Sequence, residues 1–300
     1  MKLGVIFPTT EIGGDMGAVR EYAEATQSLG YNHILVYDHV LGADTRYYEQ
    51  WETRHKAGKG TYRLEHPFHE PFVFFGWLAG LTPKLELSIS VLVLPQRQTA
   101  LVAKQAAELD RLCRGKFRLG IGGGWNQVEY EAMNATFNDR GRKLDEQIEV
   151  MQALWKNQSI QFKGQWHNIP HAGINPLPTH KSIPLWFGGS SDPMMKRIAK
   201  YGDGWFPYSI PSPFLHDESS FNRLKKMHNY MEKAGRDPSE LGIDGHIDAF
   251  SDSSPQQWAE EVYRWESIGA THISLNTMRC GFKSAENHLE AIRQFKEAVG

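Results

Sequence analysis

The chain has 300 residues, of which 40% are hydrophobic and 23% charged, as is usual for one large or two medium globular domains. Its 33 basic and 35 acidic side chains give a net charge of −2, so neither a nucleic acid nor an anionic membrane is expected as a partner. The longest apolar runs, residues 72–81 and 87–94, are too short to span a bilayer. With only Cys113 and Cys280, and a start unlike a secretory signal, a cytoplasmic location is expected.

In chain order, short β-rich runs alternate with helical stretches. The first helix illustrates the signal, because apolar or small residues recur at helical spacing from Gly17 to Leu29 and Gly30 follows as a helix end. Strands are predicted at residues 3–7, 33–37, 85–94, 117–121, 184–187, 204–207, 241–247 and 272–276. Helices are predicted at 17–29, 71–80, 99–112, 127–133, 140–156, 192–201, 218–234, 255–268 and 285–299. Eight strand–helix repeats predict an α/β fold, a TIM (β/α)8 barrel that forms a single domain over residues 1–300.

Two long insertions, Val40–His69 and Ser159–Lys181, follow predicted strands 2 and 4. The second contains a predicted β-hairpin around residues 161–167. Barrels of this type have their functional groups at the carboxyl ends of the strands. We therefore expect both insertions to lie over that end as lids.

Asp38 and His39 come directly after predicted strand 2. A histidine beside a carboxylate at this end of a barrel can exchange a proton or donate a hydrogen bond to a cofactor. The alternative is that His39 caps the next turn while a backbone amide holds Asp38. The sequence leaves both interpretations open.

Glycines follow predicted strands 4 and 5, where each strand leads into a helix. The two segments are Gly122, Gly123, Gly124 and Trp125, and Gly188, Gly189, Ser190 and Ser191. Exposed amides at a helix N-terminus bind anions, which favours a phosphate-bearing ligand. The alternative is that these turns need glycine only for positive φ angles. The histidines are scattered without metal-ligand spacing, so no metal site is predicted.

The run SISVLVLPQRQTALVAKQAAELDRLCRGKFRLGIGGGWNQVEYEAM resembles the luciferase-like monooxygenase superfamily, and within it the branch that uses the deazaflavin coenzyme F420. The same order of motifs continues over nearly the whole chain. The further motifs are Asp38-His39-Val40, Glu70-Pro71, Arg140-Gly141-Arg142, Ile183–Gly189 and Gly202-Asp203-Gly204-Trp205.

The resemblance implies a bound F420, or FMN as the alternative cofactor. It implies a non-proline cis peptide between Ser90 and Val91, with Val91 against the central ring of the cofactor. It places Asp38 and His39 near the polar edge and the reactive carbon of that ring. The implied cofactor-binding residues are Asp38, His39, Ser90, Val91, Gly122, Gly123, Gly124, Trp125, Gly188, Gly189, Ser190 and Ser191, with His39 as the catalytic residue.

The predicted function is an F420-dependent oxidoreductase that transfers a hydride between the deazaflavin and a small organic substrate. The alternatives are an FMN-dependent monooxygenase of the same superfamily and a non-catalytic protein that binds flavin or F420. Some relatives have a glutamate where this chain has Trp125, which argues against a sugar-phosphate dehydrogenase. The resemblance also implies a homodimer. Basic residues expected near the anionic cofactor tail are Arg54, Lys56, Lys59, Arg63, Lys196, Arg197 and Lys200.

Overall fold

Parallel strands close into a barrel that helices surround on the outside. The computed structural model describes residues 1–47, 64–207 and 218–300. The barrel strands are β1 (Lys2–Ile6), β2 (His33–Val36), β3 (Glu86–Val93), β4 (Phe117–Gly122), β7 (Leu185–Gly188), β8 (Gly204–Phe206), β9 (Gly242–Asp248) and β10 (His272–Asn276). The helices are α1 (Thr9–Ile12), α2 (Met16–Ser28), α3 (Pro71–Leu81), α4 (Thr99–Leu112), α5 (Gln127–Ala132), α6 (Arg140–Lys156), α7 (Asp192–Tyr201), α8 (Glu218–Lys233), α9 (Pro255–Ser267) and α10 (Ala285–Val299).

The eight barrel strands follow one another around the barrel in chain order, and β10 pairs with β1 to close it. All eight are parallel, so their carboxyl ends lie together at one end, here called the mouth. The predicted TIM barrel is confirmed. Every predicted helix and barrel strand is present, with ends within one residue of the prediction.

The second insertion does not lie where the sequence predicts it. It begins after the carboxyl end of α6, so the chain enters it at the end of the barrel opposite the mouth. Its strands β5 (Ile160–Lys163) and β6 (Asn168–Ala172) form the expected antiparallel hairpin. Glu146 of α6 accepts hydrogen bonds at 2.7–2.8 Å from the three backbone amides of residues 165–167 at the hairpin turn. The hairpin therefore packs against an outer helix, and its predicted position over the mouth was wrong.

The interior of the barrel contains two layers of different chemistry. One is an apolar layer made of Ile6, Leu35, Trp186 and Phe206, with Tyr37 and Val91 packed against it. In the other, Asp244 accepts hydrogen bonds from Arg118 Nη1 at 3.1 Å and from Ser274 Oγ at 2.7 Å. These filled layers make the mouth a pocket with a floor.

Buried histidines predict that the protein loses stability in acid. Burial lowers the pKa of His288 to about 4, whereas a histidine in the unfolded chain titrates near 6.5. As the pH falls from about 6.5 to about 4, the unfolded chain therefore takes up a proton that the folded chain does not. We expect the free energy of unfolding, measured by urea denaturation, to fall by about 3 kcal/mol through His288 alone.

The control for this prediction is His288→Asn, whose amide can keep the hydrogen bond that His288 Nδ1 makes with Thr277 Oγ1 at 2.8 Å. The variant should show a shallower pH dependence, because its side chain does not titrate. His33, whose pKa burial also lowers, would still contribute in the same direction. A pH dependence identical to that of the wild type would contradict the assignment to His288.

Candidate active site at the barrel mouth

Val91 forms the centre of the mouth floor. The peptide bond between Ser90 and Val91 is cis, as the resemblance implies, and the Val91 side chain is partly exposed. A Cβ at Gly122 would lie 2.6 Å from Val91 Cγ2, and one at Gly188 would lie 3.0 Å from Val91 Cγ1. Both glycines therefore leave room for Val91. They also leave the neighbouring wall without side chains, so the surface around Val91 fits a flat ring.

The remaining glycines of the two loops have different reasons for being glycine. Gly124 and Gly189 have φ angles of 63° and 110°, which favour glycine whatever binds nearby. Gly123 has no such φ angle, and no described atom lies within 4 Å of a Cβ built on it. Open space beside the Gly123 backbone is what an approaching ligand needs.

The second loop ends at the N-terminus of α7. Ser191 is the N-cap residue, and its side chain makes no capping hydrogen bond. Ser190 is partly exposed and Ser191 is exposed, so both hydroxyls are accessible beside the first amides of the helix. The negative charge of Asp192 at this helix end would repel a phosphate, but Lys226 Nζ lies 2.5 Å from Asp192 Oδ1 and neutralises that charge. This helix end is therefore compatible with a phosphate.

The predicted cation cluster is only partly available for such a ligand. Arg197 Nε lies 2.7 Å from Asp145 Oδ1, and Lys200 lies 3.5 Å from Glu149 Oε1 near the far end of α7. Both side chains are paired with carboxylates of α6, so they are less available to an anionic ligand. Residues 54, 56, 59 and 63, which complete the predicted cluster, lie outside the described residues.

Asp38 is buried in the wall of the mouth. Its Oδ1 accepts a hydrogen bond from Arg97 Nη2 at 2.7 Å, and its Oδ2 accepts one from the Val93 amide at 3.0 Å. Burial raises the pKa of the Asp38 carboxyl, and the Arg97 charge opposes that rise. Arg97 also donates through Nη1 to Glu70 Oε1 at 3.1 Å. Asp38 thus joins the ends of β2 and β3, which supports a positioning role better than direct contact with a cofactor.

His39 stands beside a buried carboxylate that the sequence does not indicate. Its Nδ1 lies 3.5 Å from Glu129 Oε2, and Glu129 Oε1 accepts hydrogen bonds from the amides of Val40 at 2.6 Å and Leu41 at 3.2 Å. Burial alone would raise the pKa of Glu129. The interaction with His39 and these two amide hydrogen bonds outweigh burial and lower it. An ionised Glu129 therefore fixes both the His39 ring and the loop that carries it.

Two aromatic side chains border His39. The rings of Phe68 and Trp125 meet the imidazole edge-on, at centroid distances of 5.2 and 5.9 Å. Trp125 is partly exposed after the first glycine loop. The two rings restrict how water reaches His39, which suits a group that exchanges a proton with a substrate.

A second histidine–carboxylate pair faces the mouth from β9. His246 Nε2 lies 2.7 Å from Asp248 Oδ1, and Asn276 Nδ2 of β10 donates to the same oxygen at 2.7 Å. His246 and Asn276 fall inside predicted strands and Asp248 directly follows one, and none of the three was predicted as a site residue. The only available signal was the spacing of polar residues at every second position from Asp244 to Asp248.

Residues 1–47, 64–207 and 218–300 contain no group of three or more His, Cys, Asp or Glu side chains that could hold a metal ion. Within the same residues, no helix is both long and apolar enough to cross a membrane.

A family model described as luciferase-like monooxygenase matches residues 1–298. An uncharacterized protein of Mycobacterium tuberculosis is 33% identical over 259 residues, which cover 84% of this chain and 82% of that protein. The F420-dependent glucose-6-phosphate dehydrogenase of Kineococcus radiotolerans is 24% identical over 259 residues, 85% of this chain and 70% of that enzyme.

Two solved structures share the fold at low identity. The monooxygenase RslO1 from Streptomyces bottropensis has a TM-score of 0.78 and 15% identity, covering 100% of this chain and 98% of its own. An F420-dependent secondary alcohol dehydrogenase in complex with an F420-acetone adduct has a TM-score of 0.76 and 16% identity, covering 100% and 99%. The resemblance seen in the motifs is confirmed over nearly the whole chain.

Proposed function

Because this chain belongs to the luciferase-like monooxygenase family, we propose that it is an F420-dependent oxidoreductase that transfers a hydride between the deazaflavin and a small organic substrate. Relatives named as F420-dependent support this choice, by sequence for the glucose-6-phosphate dehydrogenase and by fold for the alcohol dehydrogenase. An FMN-dependent monooxygenase is the second candidate. The likeness in fold to the monooxygenase RslO1 supports the monooxygenase part of this alternative.

The observation that carries the proposal is the side-chain-free wall around Val91. The cofactor ring would lie on Val91 beside Gly122 and Gly188, with its polar edge toward the end of β2. When bound, the deazaflavin supplies the hydride donor or acceptor. The protein supplies the position of the ring and a pocket shielded from water.

His39 is the proposed proton carrier. Glu129 holds the Nδ1 side of its ring, so proton exchange with the substrate falls to Nε2. Asp38 supports the same segment through Val93 and Arg97 rather than by touching the ring. His39 on its rigid loop then accepts or donates the proton that accompanies hydride transfer, while Glu129 and Asp38 act as positioning residues.

The cofactor phosphate would bind between the two glycine loops. The Gly123 backbone borders open space, and Ser190 and Ser191 present hydroxyls at the N-terminus of α7. Trp125 would then stand near the cofactor, where it can report binding by fluorescence.

Titration of the apo-protein with F420 and with FMN, followed by tryptophan fluorescence, tests the proposal. We expect F420 to bind more tightly than FMN and its affinity to weaken with added salt, because its tail is anionic. Hydride transfer from F420H2 to a panel of carbonyl compounds then separates an enzyme from a non-catalytic binder. Tighter binding of FMN, or binding of F420 without turnover, would contradict the proposal.

Gly123→Val should weaken F420 binding at least about tenfold. The new side chain would occupy the open space at the proposed phosphate site without meeting any described atom within 4 Å at its Cβ. Isothermal titration calorimetry measures the change, and a thermal melt checks folding. Gly189→Val cannot serve as the matched test, since its φ of 110° strains any side chain. Unchanged affinity in a folded Gly123→Val protein would refute the phosphate site.

We also propose a homodimer that works in the cytoplasm on a small-molecule substrate, each chain being one domain. Val73 and Trp77 are exposed on the outer face of α3, which supports association of two copies. Cys113 and Cys280 are both free thiols, which supports a reducing compartment. Light scattering should give twice the 34.2 kDa of one chain. A mass of one chain at micromolar concentration would contradict the dimer.

A further inference from the structure

The pair His246 and Asp248 lies on the wall of the mouth opposite Val91. Around the barrel, three strands separate β9 from β3 in either direction. Asp244 of β9 points into the barrel, where it contacts Arg118 and Ser274. Side chains two residues apart on a strand share a face, so His246 and Asp248 point inward as well, progressively nearer the mouth.

Hydrogen bonds to one carboxylate oxygen hold Asp248 in a single orientation and leave its other oxygen available as an acceptor. Its Oδ1 accepts from both His246 Nε2 and Asn276 Nδ2, and no described residue donates to Oδ2. The Asp248 side chain is 43% exposed. Burial would raise the pKa of Asp248, but the hydrogen bonds from His246 and Asn276 lower it, so the group stays an acceptor at neutral pH.

Asn276 makes this arrangement rigid. β10 and β9 pair in a register that places Asn276 beside Asp248 and Ser274 beside His246. The side-chain oxygen Oδ1 of Asn276 also accepts a hydrogen bond from the Met278 backbone amide at 3.1 Å, so the side-chain amide cannot rotate freely. A fixed carboxylate with one unused oxygen, facing a pocket, is suited to accept a hydrogen bond from a ligand.

We infer that His246, Asp248 and Asn276 form a substrate subsite that binds a neutral hydroxyl group and disfavours anionic substrates. A hydroxyl donates its proton to Asp248 Oδ2, whereas a carboxylate or phosphate meets a like charge there. The inference rests on the proposed function only for the position of the hydride-transferring ring, which would lie across the mouth on Val91. A substrate held at Asp248 then lies between the two walls.

Binding of cyclohexanol and of cyclohexanecarboxylate tests the subsite, because the two probes share a ring and differ in the group offered to Asp248. Dissociation constants come from saturation-transfer NMR titrations of the protein, without and then with saturating F420. We expect the wild type to bind cyclohexanol at least about tenfold more tightly than the carboxylate. We expect Asp248→Asn to reduce this preference to less than about threefold.

Asp252→Asn is the matched control, since Asp252 is an exposed aspartate in the loop after β9 and makes none of the hydrogen bonds that hold Asp248. It should leave the preference unchanged. If Asp248→Asn fails to fold, His246→Gln provides a second variant. We expect it to weaken cyclohexanol binding at least about threefold. Equal binding of both probes to the wild type, or equal effects of Asp248→Asn and Asp252→Asn, would overturn the subsite. Failure of F420 to bind would overturn the proposed function alone, since the probe ratio is measured without it.

Discussion

We expect His39→Ala to lower kcat by about 10²–10⁴-fold while the protein keeps its fold, because general acid–base catalysis supplies rate enhancement of that size. His39 side-chain contacts within the described residues involve Glu129, Phe68 and Trp125, all at the mouth. Its removal opens space at a partly exposed site and should cost little stability. Stopped-flow measurement of F420 absorbance, with the substrate that the wild type turns over fastest, gives kcat.

The matched control is His228→Ala, which removes an exposed histidine from the outer helix α8. Its kcat should equal that of the wild type. The F420 affinity of His39→Ala should change far less than kcat. Wild-type turnover in a folded His39→Ala protein would refute the assignment.

The sequence predicts the place of His39 for a simple physical reason, whereas the place of Val91, inside a strand, was implied only by the resemblance. Once eight parallel strands form a barrel, every residue just after a strand lies at the same end. The order of the elements alone therefore places Asp38-His39 and the glycine loops around one pocket. No contact between side chains has to be known for that inference.

Glu129 could not be found in the same way. It lies on α5, where its spacing is typical of a solvated helix face, yet its carboxylate reaches the Val40 amide across 89 residues of chain. His246 was missed because a buried parallel strand is expected to be apolar. The inner face of β9 departs from that rule, since partners on β10 and β4 satisfy its polar groups. Asp248 directly follows the predicted strand, so its place at the mouth could have been predicted, but not its contacts with His246 and Asn276.

The position of the hairpin insertion shows the same limit. Local turn and strand patterns predict its two strands, but not the surface on which they lie. Contacts with distant residues hold the hairpin there, among them Glu146, which accepts hydrogen bonds from three backbone amides at the turn, and Asp139, which accepts one from the Trp166 side chain. Contacts of this kind depend on the folded arrangement of α6 and cannot be read from local periodicity.

We expect Arg97→Met to lower the free energy of unfolding by about 3–5 kcal/mol, the usual cost of removing one partner from a buried ion pair. Met fills a volume similar to the aliphatic part of Arg97 but carries no charge. Asp38 would keep only the Val93 amide as a donor, and Glu70 would lose its partner as well. Chemical denaturation followed by circular dichroism measures the loss.

The double variant Asp38→Asn with Arg97→Met decides whether the loss comes from the unpaired charge. If it does, removing the Asp38 charge should recover part of the stability, so the double variant is more stable than Arg97→Met alone. The pH dependence gives a second check. Without Arg97 the pKa of Asp38 rises further, and a raised folded pKa makes stability fall as the pH rises through it. The loss in free energy of unfolding caused by Arg97→Met should therefore be smaller at pH 5 than at pH 8. A loss that does not depend on pH, together with strictly additive effects in the double variant, would show that Arg97 acts by packing alone.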